Sequence, residues 1–203
     1  MQMLIINGSL GGANGNTARI LASFRRLLEL DHVTVNEFHL TERAPSFEDL
    51  AAADGFVFAT GVYWDSWSSV LQKFFESSTP LEGANCWFGK PVAAIVTMHS
   101  VGGKEVLSRL QGVLNTFGLY FPPMSAMTYS LANQMALQVS LDQNATRQDT
   151  EFEKDLWCLD DLAVLATNLK LAAQNRTEKA TNWRSWPVDR SDPSRVWFSE
   201  VIT

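Results

Sequence analysis

The sequence has few cysteines and no long apolar stretch. Its 203 residues include 2 cysteines, Cys86 and Cys158, which lie far apart and form no CxxC pair. This argues against a disulfide framework and against a zinc site, so no metal is expected. Unpaired cysteines are typical of a reducing compartment. No run reaches the roughly 18 apolar residues of a membrane-spanning helix, and the residues after Met1 lack the pattern of a secretory signal. We therefore expect a cytoplasmic protein that does not enter a membrane.

Positive charge is also scarce. The chain has 16 Lys and Arg against 22 Asp and Glu, a net charge of −6 and a pI of about 5.0. Nucleic acids and anionic membranes recruit basic surfaces, so neither is expected as a main partner. A negative net charge of the whole chain still allows a local pocket for a phosphorylated ligand. Hydrophobic residues make up 46% of the chain, which is typical of one globular domain at this length.

Apolar runs alternate with segments of helical period along the chain. Buried strands are predicted at 3–7, 33–40, 55–61 and 91–98, with a last strand between 119 and 131 that Pro122 and Pro123 interrupt. Helices are predicted from Thr17, near 47–53, from 70 to before Pro80, over 106–117, and in a long final segment that includes Phe152, Leu156, Leu159, Ala163 and Leu169. Most of these strands are continuously apolar, as in parallel sheets covered on both faces. The alternation predicts a doubly wound α/β fold.

The loop after the first strand is rich in glycine. It reads GSLGGANGNT from Gly8 to Thr17 and opens a helix. Glycines allow backbone N–H groups to approach a ligand, and a helix N-terminus favours an anion. The loop lacks the Gly-Lys-Ser/Thr ending of nucleotide hydrolases and the GxGxxG spacing of dinucleotide sites. It also has no Lys or Arg, so a phosphomonoester such as that of FMN would be held by neutral donors. The alternative is a turn in which Asn16 or Thr17 only caps the helix.

Two further loops follow predicted strands at the same edge of the sheet. Tyr63 and Trp64 come just after the strand that ends near Gly61, where ligands of open α/β sheets bind. We expect both to pack on a flat ring system. Trp67, placed in the following helix, is expected in the core or in a subunit contact. His99 lies in the third loop, and a lone histidine is more often a packing or hydrogen-bonding residue than a catalytic one.

Three segments resemble the NADPH-dependent FMN reductase family of flavodoxin-like proteins. They read GSLGGANGNTARIL, ATGVYWDSWSSVLQKF and GKPVAAIVTMHSVGGKEVLSRLQGVLNTFG, and the resemblance covers roughly residues 2 to 125. It implies a flavodoxin-like five-stranded parallel sheet of order 2-1-3-4-5 with helices on both faces. Gly11, Gly61 and Asp65 depart from the family pattern, in which arginine, proline and glycine are common at these places.

The resemblance also implies the cofactor and its contacts. The first loop would hold the FMN phosphate, and the second and third loops would border the isoalloxazine. The implied cofactor-binding residues are Ser9, Gly15, Asn16, Thr17, Ala18, Val62, Tyr63, Trp64, Asp65, Met98, His99, Ser100 and Gly102. No catalytic side chain is required, because the hydride chemistry belongs to the flavin.

The expected activity is hydride transfer from NADPH or NADH through FMN to a small acceptor such as a quinone, an azo or nitro compound, or free flavin. The alternative is a flavodoxin-type electron carrier without its own nicotinamide site. The family further implies a homodimer or homotetramer. We expect residues 1–173 to form the FMN-binding domain and residues 174–203 to form an irregular tail, rich in tryptophan, that packs on the domain or on a neighbouring subunit.

Overall fold

A five-stranded parallel sheet forms the centre of the protein. The computed structural model describes residues 1–136, 160–178 and 183–185. The strands are β1 (Gln2–Asn7), β2 (Thr34–His39), β3 (Gly55–Gly61), β4 (Val92–Met98) and β5 (Ala126–Ser130), and their order in the sheet is β2-β1-β3-β4-β5. Every neighbouring pair is parallel. The predicted fold class and strand order are confirmed.

Helices cover both faces of this sheet. They are α1 (Asn16–Leu30), α2 (Phe47–Ala52), α3 (Ser69–Ser78), α4 (Gly103–Thr116) and α5 (Asp160–Glu178), and residues 131–136 are also helical. In the described ranges, none of the helices has the length and apolarity that crossing a membrane requires.

Several boundaries differ from the expectation. β5 begins only after Pro122 and Pro123, and Tyr120 before them makes an isolated bridge to Pro91, because proline has no N–H to give to a ladder. Trp67 is buried as expected but precedes α3 instead of lying within it. Residues 174–178 continue α5 and so do not belong to an irregular tail. Phe152, Leu156 and Leu159 lie outside the described residues, and the division at residue 173 stays a prediction.

The strands divide their side chains between two cores. In β1, Leu4 and Ile6 face one layer while Met3 and Ile5 face the other, as the two-residue period of a strand requires. The first layer contains a cluster of aromatic residues that includes Phe56, Phe58, Phe74, Phe75, Trp87 and Phe117. The second packs α1 and α5 against the opposite face of the sheet. Burial on both faces explains why the strands read as continuous apolar runs.

Lys90 is a buried cation at the end of α2. Its side chain is 3% exposed, and Nζ donates to the carbonyl oxygens of Leu50 at 3.0 Å and Ala51 at 2.9 Å. The last carbonyls of a helix have no partner within the helix, so this ammonium closes the C-terminus of α2. Burial, followed by the nearby charge of Arg176, lowers the pKa of Lys90 from 10.5 to about 8.

Replacing Lys90 by methionine is expected to lower the free energy of unfolding. The two carbonyls would lose their donors in a buried place, at a cost of about 1–3 kcal/mol. Between the folded pKa near 8 and the ordinary value of 10.5, the unfolded chain binds the proton that the folded chain has released. Stability contributed by Lys90 therefore rises with pH over this interval. Urea denaturation at pH 8 and pH 10 should show a larger difference between wild type and K90M at pH 10.

Lys73→Met is the matched control, because Lys73 is exposed on α3. It should change the unfolding free energy little at either pH. A difference between wild type and K90M that shrinks as the pH rises would contradict the assignment of Lys90.

The beginning of the C-terminal segment packs on its own domain. The Trp183 ring stacks on Tyr120 with centroids 6.1 Å apart and planes at 14°, and Ser185 lies against Gly83. Tyr120 and its bridge partner Pro91 precede β5 and β4, so this contact lies at the amino-terminal end of the sheet. Trp186, Trp197 and Phe198, which the sequence analysis also placed in the tail, lie outside the described residues.

Candidate functional site

A cleft of about 200 Å³ opens at the carboxyl-terminal edge of the sheet, between the loops that follow β1, β3 and β4. It is lined by Ser9, Gly11, Gly15, Asn16, Thr17, Gly61, Val62, Tyr63, Thr97, Met98, His99 and Leu131. Eight of these were named from the sequence. Ala18, Trp64, Asp65, Ser100 and Gly102, also named, do not line the cleft, and Gly11, Gly61, Thr97 and Leu131 were not among the predicted binding residues.

Asn7 organises the first loop from beneath. Its side chain is fully buried, and its Oδ1 accepts hydrogen bonds from the backbone N–H of Ser9 at 3.0 Å and from the Ser9 hydroxyl at 2.7 Å. Its Nδ2 donates to the carbonyl oxygen of Gly12 at 3.1 Å. One side chain at the end of β1 thus holds both the start and the middle of the loop.

The N-terminus of α1 presents free backbone donors to the cleft. Within α1, the first backbone N–H that donates to a preceding carbonyl is that of Arg19, and its acceptor is the carbonyl oxygen of Gly15. No side chain caps the helix at Gly15. The N–H groups of residues 16–18 therefore lack an acceptor within the helix. These amides and the helix dipole make the end of α1 suited to an anion.

Gly11 and Gly15 bring two parts of the first loop into direct contact. A Cβ atom on Gly11 would lie 2.7 Å from the Cα of Gly15, and a Cβ on Gly15 would lie 2.9 Å from the Cα of Gly11. Both contacts involve backbone, which cannot rotate away. Only glycine at both positions allows the two backbone segments of the loop to approach this closely in front of α1.

Thr17 and Thr97 tie α1 to β4. Their hydroxyl oxygens are 2.8 Å apart, both residues are buried, and Thr97 also donates to the carbonyl oxygen of Thr60 at 3.4 Å. The Thr17 hydroxyl has a structural partner, so it is not a free donor of the kind that the sequence analysis assumed.

The second loop is a two-residue hairpin. Tyr63 and Ser66 exchange backbone hydrogen bonds of 2.8 and 3.0 Å, and the two residues between them, Trp64 and Asp65, have φ of 50° and 59°. Positive φ at both central residues defines a type I′ turn, which usually contains Asn and Gly. The Trp64 side chain is fully exposed at the tip. The Tyr63 hydroxyl accepts from the Leu10 N–H at 2.8 Å and so joins the second loop to the first.

Asp65 contacts the third loop instead of the cleft. A Cβ on Gly102 would lie 2.7 Å from Asp65 Oδ1 and 3.0 Å from Val62 Cγ1, so the carboxylate rests directly over Gly102. Gly102 has φ of 85° and precedes the first turn of α4. A carboxylate beside a helix N-terminus is favoured by the helix dipole.

The third loop is fixed through backbone atoms. The carbonyl oxygen of His99 accepts from the Ala132 N–H at 2.8 Å and from the Ser130 hydroxyl at 3.3 Å. The His99 side chain is exposed beside the cleft. This arrangement brings Leu131 to the cleft, and no motif at this position marked it as a binding residue.

The cleft has no formal charge of its own among its described lining residues. None of them is Lys, Arg, Asp or Glu, and Tyr63 and His99 are the two with a titratable ring. The donors that this lining offers are backbone amides, the Tyr63 hydroxyl and the side-chain amide of Asn16. This set suits a phosphomonoester joined to an uncharged ring system, with the phosphate at α1 and the ring between the three loops.

Residues 1–136 match the NADPH-dependent FMN reductase family, so the chain belongs to this family. Membership makes it an FMN-dependent oxidoreductase, and the close glycine contact and unpaired amides at α1 fit the FMN phosphate. No curated protein matches the chain.

Solved structures agree on the fold. RosB, solved with bound 8-demethyl-8-formylriboflavin-5′-phosphate, is 12% identical with a TM-score of 0.65 over 95% of this chain and 93% of its own. The NADH:FMN oxidoreductase EMOB is 17% identical with a TM-score of 0.59 over 96% of this chain and 98% of its own. A flavodoxin from the domain Archaea is 13% identical with a TM-score of 0.59 over 86% and 99%. At these identities the likeness establishes the flavodoxin-like fold alone.

Proposed function

We propose that the protein oxidises a reduced nicotinamide, NADPH or NADH, and passes the electrons through FMN to a small acceptor. Quinones, azo or nitro compounds and free flavin are the acceptor classes. The observation that carries this proposal is the cleft in front of α1, whose described lining residues include no Lys, Arg, Asp or Glu. When bound there, FMN would supply the hydride and electron chemistry.

The protein's own residues would bind FMN and orient it. The backbone amides of residues 16–18 would hold the phosphate without a cation, because the Ser9 hydroxyl already donates its proton to Asn7 Oδ1. Val62 and Tyr63 would contact one side of the ring, and backbone groups of the third loop would meet its polar edge. Hydride transfer needs no strong acid or base from the protein, which agrees with the lack of carboxylates among the described lining residues.

Each of the three loops has an exposed apolar side chain. Leu10, Trp64 and Val101 are 50%, 100% and 71% exposed, and each belongs to a different loop. Large side chains that stay exposed beside a pocket commonly mark a binding surface. They support a planar, uncharged acceptor over a small anionic one, and within the proposed classes they favour a quinone.

A flavodoxin-type carrier is the second candidate, supported by the archaeal flavodoxin among the structural neighbours. It would exchange electrons with partner proteins and have no nicotinamide site. The two candidates differ in one measurable property, the rate of direct reduction by NADPH or NADH.

Anaerobic stopped-flow mixing of the FMN-loaded protein with NADPH or NADH tests this directly. We expect the flavin absorbance near 450 nm to bleach within seconds and to return when a benzoquinone is added, because the open face admits each reactant in turn. Reduction that takes hours with both nucleotides, together with rapid reduction by a flavodoxin reductase, would contradict the proposed enzyme and support the electron carrier. Assembly into a homodimer or homotetramer stays a prediction.

A further inference from the structure

We propose that His39 is a positioning residue for the phosphate loop and that it acts through Asn7. The inference rests on the proposed function in one respect, because the loop's ligand is taken to be the FMN phosphate. It concerns β2, a strand that contributes nothing to the lining of the cleft.

The sheet register places the two residues side by side. Asn7 and His39 are paired at the carboxyl ends of β1 and β2, and Asn7 Nδ2 lies 3.0 Å from His39 Nδ1. The side chain of His39 is largely buried, at 17% exposure. The segment after His39 supports the same loop, because a Cβ on Gly12 would lie 2.6 Å from Thr41 Oγ1.

The orientation of the Asn7 amide is fixed by two backbone groups. The N–H of Ser9 can only donate, so the Asn7 atom beside it is the oxygen. The carbonyl of Gly12 can only accept, so the atom beside it is the nitrogen. The Asn7 nitrogen that faces His39 is therefore a donor.

This orientation selects one state of His39. Since Asn7 Nδ2 donates, Nδ1 of His39 must accept and carry no proton. The neutral ring then has its proton on Nε2, which points toward Glu37 Oε1 at 3.6 Å. If His39 takes up a second proton, Nδ1 becomes a donor and the hydrogen bond from Asn7 is lost.

Several charged and polar groups surround His39. Burial raises the pKa of Glu37 on the same strand, and the nearby charges of His39 and Arg25 act against this rise. Arg25 of α1 lies 3.9 Å from Glu37 and bonds Glu29. In the turn after β2, the backbone N–H groups of Glu42 and Arg43 both donate to the His39 carbonyl. Asn7 is the neutral group that faces Nδ1.

Loss of the Asn7–His39 bond is expected to loosen the loop. Asn7 would then have one anchor fewer, and the same side chain sets the positions of Ser9 and Gly12. Phosphate binding should weaken, while the ring contacts of the second loop should not change. FMN affinity should therefore respond to His39, and riboflavin affinity should not.

Two substitutions distinguish the effect of the hydrogen-bond acceptor Nδ1 from that of the rest of the His39 ring. His39→Leu removes the acceptor. His39→Asn can place Oδ1 where Nδ1 was, and it cannot be protonated in the same range. At pH 8 we expect H39L to bind FMN about 10-fold more weakly than wild type, with riboflavin unchanged and H39N within about twofold of wild type. When the pH is lowered until NMR shows a second proton on His39, wild type should lose more FMN affinity than H39N, since the phosphate titrates equally in both.

NMR of the flavin-free protein tests the inference without any flavin. The imidazole nitrogen shifts should show a proton on Nε2 and a lone pair on Nδ1, and the Ser9 amide should titrate together with His39. A proton on Nδ1 at pH 8, equal FMN affinity of H39L and wild type, or an equal loss of riboflavin affinity in H39L would overturn the positioning role. A wild type that binds FMN and riboflavin equally while the Ser9 amide follows His39 would instead refute the phosphate site and leave the coupling in place.

Discussion

Gly15→Val is expected to weaken FMN binding by at least about 100-fold, which corresponds to about 2.7 kcal/mol. The added Cβ would lie 2.9 Å from the Cα of Gly11, and the contact is between two backbones, so no side-chain rotation relieves it. The first loop must then move away from the start of α1, where the phosphate is placed. Riboflavin has no phosphate and should lose little affinity. Flavin fluorescence titration with both ligands measures the two effects.

The matched control is Gly112→Ala in the exposed part of α4. A Cβ there meets nothing within 4 Å, and alanine is favoured over glycine in a helix by about 1 kcal/mol. G112A should bind FMN as wild type does and be slightly more stable. Equal losses of FMN and riboflavin affinity in G15V, with intact thermal unfolding, would mean that the phosphate does not bind at α1.

Gly102→Ala is expected to weaken FMN and riboflavin together, by about 10- to 30-fold. Gly102 has φ of 85°, which alanine adopts at a cost of about 1–2 kcal/mol. Its Cβ would also meet Asp65 Oδ1 at 2.7 Å and Val62 Cγ1 at 3.0 Å. The second loop would shift, and in the proposed arrangement this loop contacts the ring and not the phosphate. The same titrations should therefore show a similar loss for both flavins.

Asp65→Gly provides the rescue. Asp65 has φ of 59°, a backbone conformation that glycine adopts easily. Removing the Asp65 side chain also takes away the nearer of the two contacts that the new Cβ at residue 102 would make. The double variant G102A/D65G should recover part of the affinity for both flavins relative to G102A. If G102A instead weakened FMN alone, the third loop would be assigned to the phosphate and the present placement of the ring would be wrong.

The sequence predicted the sheet because its strands are buried on both faces. The run from Gly55 to Gly61 contains no charged residue, and the structure places β3 over the same residues. The strand propensity of these residues agrees with their burial in the sheet, so the local sequence pattern was enough to predict the strand. The start of β5 was harder to predict, because Tyr120 continues an apolar run that two prolines then prevent from pairing.

The site was predicted only where glycine marks a loop. Asn7 was predicted only as the last residue of the first strand, since its role depends on the register between β1 and β2. That register joins residues more than thirty positions apart and leaves no local signal. Thr97 was read as the end of a strand for the same reason, although its hydroxyl meets Thr17 across 80 positions.

The hairpin at Trp64 and Asp65 departs from the residues that its turn type prefers. Trp-Asp is not a usual pair for positive φ, so no turn was predicted at these residues, and both were placed against the ring. The structure instead exposes Trp64 at the tip and rests Asp65 over Gly102. Whether either residue contacts bound FMN stays a prediction.

A crystal structure of the protein with FMN tests the central claim most directly. We predict the phosphate within hydrogen-bonding distance of the backbone N–H groups of residues 16–18 and the ring beside Val62 and Tyr63. FMN bound away from this cleft, or with its phosphate directed away from α1 into solvent, would contradict the account.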